Sequence, residues 1–107
     1  MMVRYRYLVF SNPVQGREAE YNAWYDHRHL GDVLATPGFV SAQRFRCADG
    51  EGPGGARYLA MYELASRDPG AALKRLRSRA NSASMLISPA LDLGTLSTSL
   101  WLPRGDR

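Results

Sequence analysis

The hydrophobic pattern switches between a period of two and a period near 3.6 residues, and the switches delimit the elements. Residues 3–10 (Val-Arg-Tyr-Arg-Tyr-Leu-Val-Phe) are rich in β-branched and aromatic side chains and predict a strand. Ser11-Asn12-Pro13 breaks it, with Asn12 placed to cap a first turn and Pro13 at the position that needs no N–H. Residues 17–30 follow a helical period, in which Tyr21, Trp24, Tyr25 and Leu30, continued by Val33 and Leu34, form one apolar stripe. Gly31 marks a stop or kink, and Pro37-Gly38 ends the helix. Residues 39–47 predict a second strand, the glycine-rich residues 48–55 a flexible hairpin loop, and residues 56–64 a third strand. Asp68-Pro69 starts a second helix, with Ala72, Leu73, Leu76 and Ala80 as its buried stripe. Residues 85–89 are apolar but irregular, and residues 95–102 predict a fourth strand that Pro103 stops.

The order β-α-β-β-α-β predicts an α+β fold, a ferredoxin-like antiparallel sheet with two helices on one face. Such a sheet leaves its other face bare. In strand one both alternations (Tyr5, Tyr7, Val9 and Leu8, Phe10) are partly apolar, as they are in strand three (Tyr58, Ala60, Tyr62 and Leu59, Met61). Apolar area on both faces predicts that the bare one is an interface, and a second copy of the chain, giving a homodimer, covers it.

Composition narrows the class. At 107 residues the chain makes one domain, spanning 1–107, with a thin stability margin that self-association relieves. Cys47 is the only cysteine, which excludes an internal disulfide and a cysteine zinc cluster. Arg4 and Arg6 stand where a signal peptide needs its apolar run, and no stretch approaches about 18 apolar residues, so the expectation is a soluble, cytoplasmic protein with no membrane association. The net charge of +4 comes from scattered arginines; the densest run, Lys74 to Arg79, lies on the solvent side of the second helix. That pattern fits a solvated face, and no nucleic-acid partner is expected.

The segment from Tyr21 to Ala42 resembles a known pattern: Trp24-Tyr25-Asp26, then His29-Leu30, then acidic Asp32, then Pro37-Gly38-Phe39 leading into the second strand. It is similar to the EthD-like branch of the dimeric α/β-barrel superfamily, and Asn12-Pro13 fits as well. The match covers roughly the first 45 residues; Gly31 stands where these relatives usually have proline. The resemblance implies a dimeric α/β-barrel fold and a homodimer. It leaves the chemistry open, because the superfamily includes polyketide cyclases, lactone isomerases, cofactor-free monooxygenases, haem-degrading enzymes and members of unknown activity.

Three residues carry candidate chemistry. On an α-helix Tyr25 and Asp26 lie four and three positions before His29, so all three share one region of surface. Asp26 bonded to the imidazole would fix its tautomer and raise its pKa, and the helix C-terminus would push the same way. His29 is then an acid or base, Asp26 its orienter and Tyr25 an oxygen-holding donor. A histidine at this place also serves simply to bond the last carbonyls, and the spacing leaves both roles open. Trp24, Tyr7, Phe39 and Tyr58 are candidate walls for a small apolar or aromatic molecule, and Arg44 a candidate grip for its carboxylate. No phosphate loop, nicotinamide fingerprint or metal-ligand spacing is present, so no cofactor and no metal are expected. The expected function is cofactor-independent proton transfer (cyclisation, isomerisation, elimination or decarboxylation) on a small aromatic or polyketide-like substrate. The alternatives are a non-catalytic homodimeric binding or accessory protein for an apolar small molecule, and a haem or oxygen enzyme.

Overall fold

A computed structural model describes residues 2–105. The elements run β1 (Val3–Pro13), α1 (Glu18–Trp24), a π-helical turn (Tyr25–His29), α2 (Leu30–Leu34), β2 (Phe39–Arg46), β3 (Tyr58–Ser66), α3 (Pro69–Arg79) and β4 (Leu91–Trp101). The strands form one antiparallel sheet in the order β2-β3-β1-β4. That is the ferredoxin-like arrangement the element order predicts. Among the described residues no helix is long and apolar enough to cross a membrane.

Strand alternation decides which side chains meet the helices. Tyr7, Val9 and Ser11 of β1 are buried, and Ala60, Tyr62 and Leu64 of β3 are buried beside them. The register pairs Tyr7 with Tyr62 and Val9 with Ala60, so these residues share one face. The helical arm from α1 to α2 adds Tyr21, Tyr25 and Val33 to this core, and α3 adds Ala72, Leu73 and Leu76. Each such side chain contributes roughly 1.5–3 kcal/mol by leaving water. The Tyr21 phenol brings a polar atom into this layer, and its hydroxyl is satisfied by Ser11 Oγ at 2.6 Å.

Several boundaries differ from the pattern-based ones, each for a local reason. β1 runs on to Pro13. Asn12 caps no helix; its amide donates to the Gly55 carbonyl and accepts from the Arg57 N–H, extending the contact with the strand beside it. The helix instead begins after Arg17, with no capping side chain. Gly31 does not interrupt the arm, which continues to Leu34. β4 starts earlier than expected because Leu91 and Asp92 pair with Pro13 and Asn12 of the extended β1, ahead of a bulge in which Asp92 Oδ1 accepts from Gly94 N–H and Thr95 Oγ1 donates to the Asp92 carbonyl. α3 follows its sequence signals, with Asp68 Oδ1 accepting from Ala71 N–H at 3.0 Å and Pro69 at the first position.

The Pro37-Gly38-Phe39 turn delivers the arm to β2. Gly38 adopts φ +99°, and a Cβ there would stand 3.0 Å from Leu64 Cδ1 and 3.3 Å from the Ala65 carbonyl oxygen. Both the positive φ and the crowding exclude a side chain. Gly38→Ala is expected to lower stability by about 1–3 kcal/mol, read as a lower urea midpoint with an unchanged slope; an unmoved midpoint would show that the turn relaxes freely.

Candidate functional site

The site begins with an anchor beneath the helical arm. Arg44 projects from β2 toward the helices, with its side chain only 11% exposed. Its guanidinium donates to Asp26 Oδ1 and to Asn22 Oδ1, each at 2.9 Å. It also lies 4.5 Å from the ring centre of Tyr25, 5.1 Å from that of Tyr58 and 5.4 Å from that of Tyr21. Two charge-assisted bonds and three aromatic faces together hold one cation and fix the rotation of the arm over the sheet. Tyr58 in turn donates to Glu18 at the start of α1.

Just past this anchor the helix widens. The Leu30 N–H bonds to the Tyr25 carbonyl, a step of five residues. In such a turn each residue advances roughly 80° rather than the α-helical value of about 100°. Residues three apart then diverge, whereas residues four and five apart converge. His29 accordingly stacks on Trp24 with ring centres 4.5 Å apart and planes at 24°, and meets Tyr25 edge-on at 5.2 Å. Trp24 is itself held by its indole N–H, which donates to the Leu86 carbonyl at 3.0 Å.

This geometry corrects the expected Asp26–His29 pair. Asp26 is exposed and bonds to Arg44, while His29 Nδ1 is buried without a hydrogen-bond partner. Burial therefore governs the imidazole and pushes its pKa down to about 4, against a weaker upward pull from Asp32. The sequence-based expectation had the opposite sign. Arg44 is corrected in the same way: a grip on substrate was expected, and its guanidinium is instead engaged inside the fold.

His29 lines an apolar cavity of about 230 Å³ between the sheet and the helical layer. The floor is built from buried Tyr7, Tyr62, Val33 and Met85, and the rim from exposed Leu93, Leu96, Arg77 and Asn81. Tyr25 also reaches the cavity. The Tyr62 hydroxyl is buried and has no hydrogen-bond partner; burial holds both it and the Tyr25 phenol above the ordinary tyrosine range. His29 and Tyr62 both line this space, and each carries a polar atom, His29 Nδ1 and the Tyr62 hydroxyl, that is closed off from solvent and has no hydrogen-bond partner. Buried polar groups in that condition are uncommon and call for an explanation.

Of the residues singled out from the sequence, His29, Tyr25 and Tyr7 meet at the cavity. Trp24 stands behind His29, and Phe39 packs on Tyr7 and Tyr62 at 6.4 and 6.3 Å, behind the wall. Tyr58, Arg44 and Asp26 belong to the anchor. Met85 and Ile87 were legible only as an irregular apolar stretch, and Leu93 lies before the predicted start of β4. Among the described residues no group of three histidine, cysteine, aspartate or glutamate side chains gathers to hold a metal.

The pKa of His29 makes stability depend on pH. The unfolded chain takes up this proton near 6.5 and the folded chain only near 4, so between those values the unfolded state binds more protons. Stability should fall as pH drops through that window and level off below it. The contribution lost between about pH 7.5 and pH 5 is roughly 2 kcal/mol. Urea midpoints at both pH values should show this loss in the wild type and a smaller one in His29→Phe; equal losses would mean that His29 is not desolvated.

No protein-family model matches the chain, and no curated protein is significantly similar to it in sequence. Solved structures are similar. The haem-degrader MhuD from Mycobacterium tuberculosis, solved with two haems in its active site, superimposes with a TM-score of 0.63 at 17% identity, covering 96% of this chain and 98% of that one. A mutant of MhuD with two manganese protoporphyrin IX molecules per active site gives 0.68 at 17%, covering 96% and 97%. Rv0793 from Mycobacterium tuberculosis gives 0.58 at 17%, covering 96% and 97%. At such identities the likeness speaks for the fold alone, an α+β fold with one four-stranded antiparallel sheet covered by helices.

Proposed function

We propose that the cavity takes a small, mostly apolar molecule carrying a polar oxygen, and that His29 moves a proton on it without a cofactor. The observation that carries this reading is the pair of partnerless polar groups, the His29 imidazole and the Tyr62 phenol, on the wall of one apolar cavity. The Tyr62 hydroxyl is closed to solvent in the free protein, and a small side-chain shift on binding would let a ligand oxygen supply the hydrogen bond it lacks.

The chemistry follows from the charge states. With its pKa near 4, His29 is neutral at physiological pH and is a proton acceptor. It removes a proton from a carbon or hydroxyl next to a carbonyl or phenol; the electron pair moves onto the oxygen, and imidazolium forms. That oxygen accepts a hydrogen bond from Tyr62, with the Tyr25 phenol as a second donor on the same wall. An imidazole of such low basicity is a weak base in the empty cavity. A substrate that develops negative charge beside it stabilises the imidazolium, so basicity rises where the reaction needs it. Return of the proton to a different atom completes an isomerisation; attack of the enolate carbon on a second carbonyl of the same molecule, with the proton returned to the alkoxide so formed, completes a cyclisation.

The homodimer belongs to the same reading. The sheet face away from the helices carries Leu8, Phe10, Leu59 and Met61, with Phe45 of β2 39% exposed and Trp101 of β4 58% exposed. An apolar sheet face of this kind supports pairing with a second copy. The narrower EthD-like resemblance continues to rest on the segment from Trp24 to Phe39.

Haem is a second reading, because a neutral, partnerless imidazole is a suitable iron donor. The cavity does not fit it as it stands: at about 230 Å³ it lies below the roughly 300–1,000 Å³ of drug-sized pockets, and a tetrapyrrole needs more.

The test uses 2-tetralone, a two-ring ketone with acidic α-hydrogens, whose exchange in D2O is followed by NMR. The wild type should accelerate exchange, and His29→Ala should lose roughly 10²–10⁴-fold of that acceleration. The enzymatic rate should hold as pH falls to about 5 and decline through about 4, since the base must be unprotonated. Equal rates in both proteins would remove His29 from the chemistry. A His29-dependent Soret band on adding haemin would replace this proposal with the haem reading.

A further inference from the structure

The cavity wall carries one formal charge at neutral pH. Arg77 lines the rim, no carboxylate lines the cavity, and His29 is neutral. A cation in the last turn of α3 is favoured by the helix dipole, and that accounts for Arg77 and Arg79 alike. The two side chains nevertheless end differently. Arg79 turns inward, donating to the Asp32 carbonyl and to Thr36 Oγ1 where α2 ends, and to Ser84. Among the described residues Arg77 has no ion-pair partner.

Its surroundings offer none. The positions three and four away on α3 and just beyond it are Leu73, Lys74, Ala80 and Asn81, none of them acidic. Across the gap, Asp32 of α2 is already paired with Arg28 at 3.3 Å. Arg77 is therefore an uncommitted guanidinium at the mouth of an apolar cavity, beside the amide of Asn81. Lys74 and Arg75 on the same helix add positive potential around it, and the chain as a whole carries +4.

From this arrangement we infer that the natural ligand is an organic anion: an apolar or aromatic body seated against Tyr7, Tyr62 and Met85, with a carboxylate held at the rim by Arg77. This rests on the reading that the cavity takes a small molecule, and it names the substrate class. A carboxylate matches the planar guanidinium with two parallel hydrogen bonds. It also gives the molecule a fixed entry direction, with the end far from the carboxylate, where the reacting oxygen would lie, leading toward His29.

Binding of 2-naphthoic acid and of its uncharged amide, measured by calorimetry at pH 7.5 and low salt, tests this. The wild type should prefer the acid by about tenfold or more, and added salt should shrink that preference. Arg77→Gln should bring acid and amide to equal affinity by weakening the acid alone, while Arg77→Lys keeps part of the preference. Arg75→Gln, an exposed change on the same helix away from the cavity, should keep it. Leu96→Trp, which fills the rim, should weaken both ligands and so locate them in the cavity. Equal binding of acid and amide by the wild type, with both weakened by Leu96→Trp, would overturn the anion inference and leave the cavity reading standing. A preference lost equally in Arg75→Gln and Arg77→Gln would also overturn it, since a diffuse field rather than a site would be responsible. Failure of both compounds to bind would remove the cavity reading and this inference together.

Discussion

A buried arginine organises the molecule. Arg44 stands on a strand beneath the helical arm, and a guanidinium in that layer is stable only if its charge is met. Asp26 and Asn22, one turn apart on the arm, meet it from above, and the faces of Tyr21, Tyr25 and Tyr58 surround it. The two halves are not equivalent: without Asp26 the guanidinium would keep only Asn22 and the ring faces, whereas without Arg44 the half-exposed Asp26 would turn to water. The arm has little rotational freedom as a result. Its aromatic residues point where the arginine requires, and the position of everything further along, including His29, is inherited from that contact.

The π-helical turn converts this anchor into a site. By lengthening the hydrogen-bond step from four residues to five, it separates His29 from Asp26 and places it against both Trp24 and Tyr25. Such turns are recurrent at functional sites because they re-aim side chains that a regular helix would stack. The imidazole gains two aromatic neighbours and loses its carboxylate, so burial sets its charge. The same burial leaves the Tyr62 hydroxyl without a partner. An apolar cavity bordered by unmatched polar groups is less stable than a filled core would be, and proteins commonly hold that kind of tension at ligand sites.

Much of the architecture was legible in the sequence. Richness in β-branched and aromatic residues marked β1, the glycine-rich stretch marked the hairpin, and Asp68-Pro69 marked the start of α3. The candidate site was legible in part. His29, Tyr25 and Tyr7 were found because aromatic and titratable residues clustered within one short segment. The π turn was not, since Tyr25 to His29 contain nothing that distinguishes a five-residue hydrogen-bond step from the four-residue step of an ordinary helix. Asp26 was misassigned for that reason, because a three-residue step means adjacency only in an α-helix. The rest of the lining escaped for another: Met85, Leu93 and Leu96 come from a loop and an edge strand, where an apolar residue signals core, interface and cavity alike. Arg77 looked like one more solvated arginine until the absence of any acidic neighbour could be set beside its place on the rim.

The claim on which the account turns is that His29 is desolvated and lacks a carboxylate partner. An NMR titration of the ¹⁵N-labelled imidazole of His29, from pH 8 down to the onset of acid unfolding, tests it most directly. The account predicts one neutral tautomer through physiological pH and a midpoint near 4. A midpoint at or above the ordinary value of about 6.5 would contradict it, and would put a carboxylate back beside the ring.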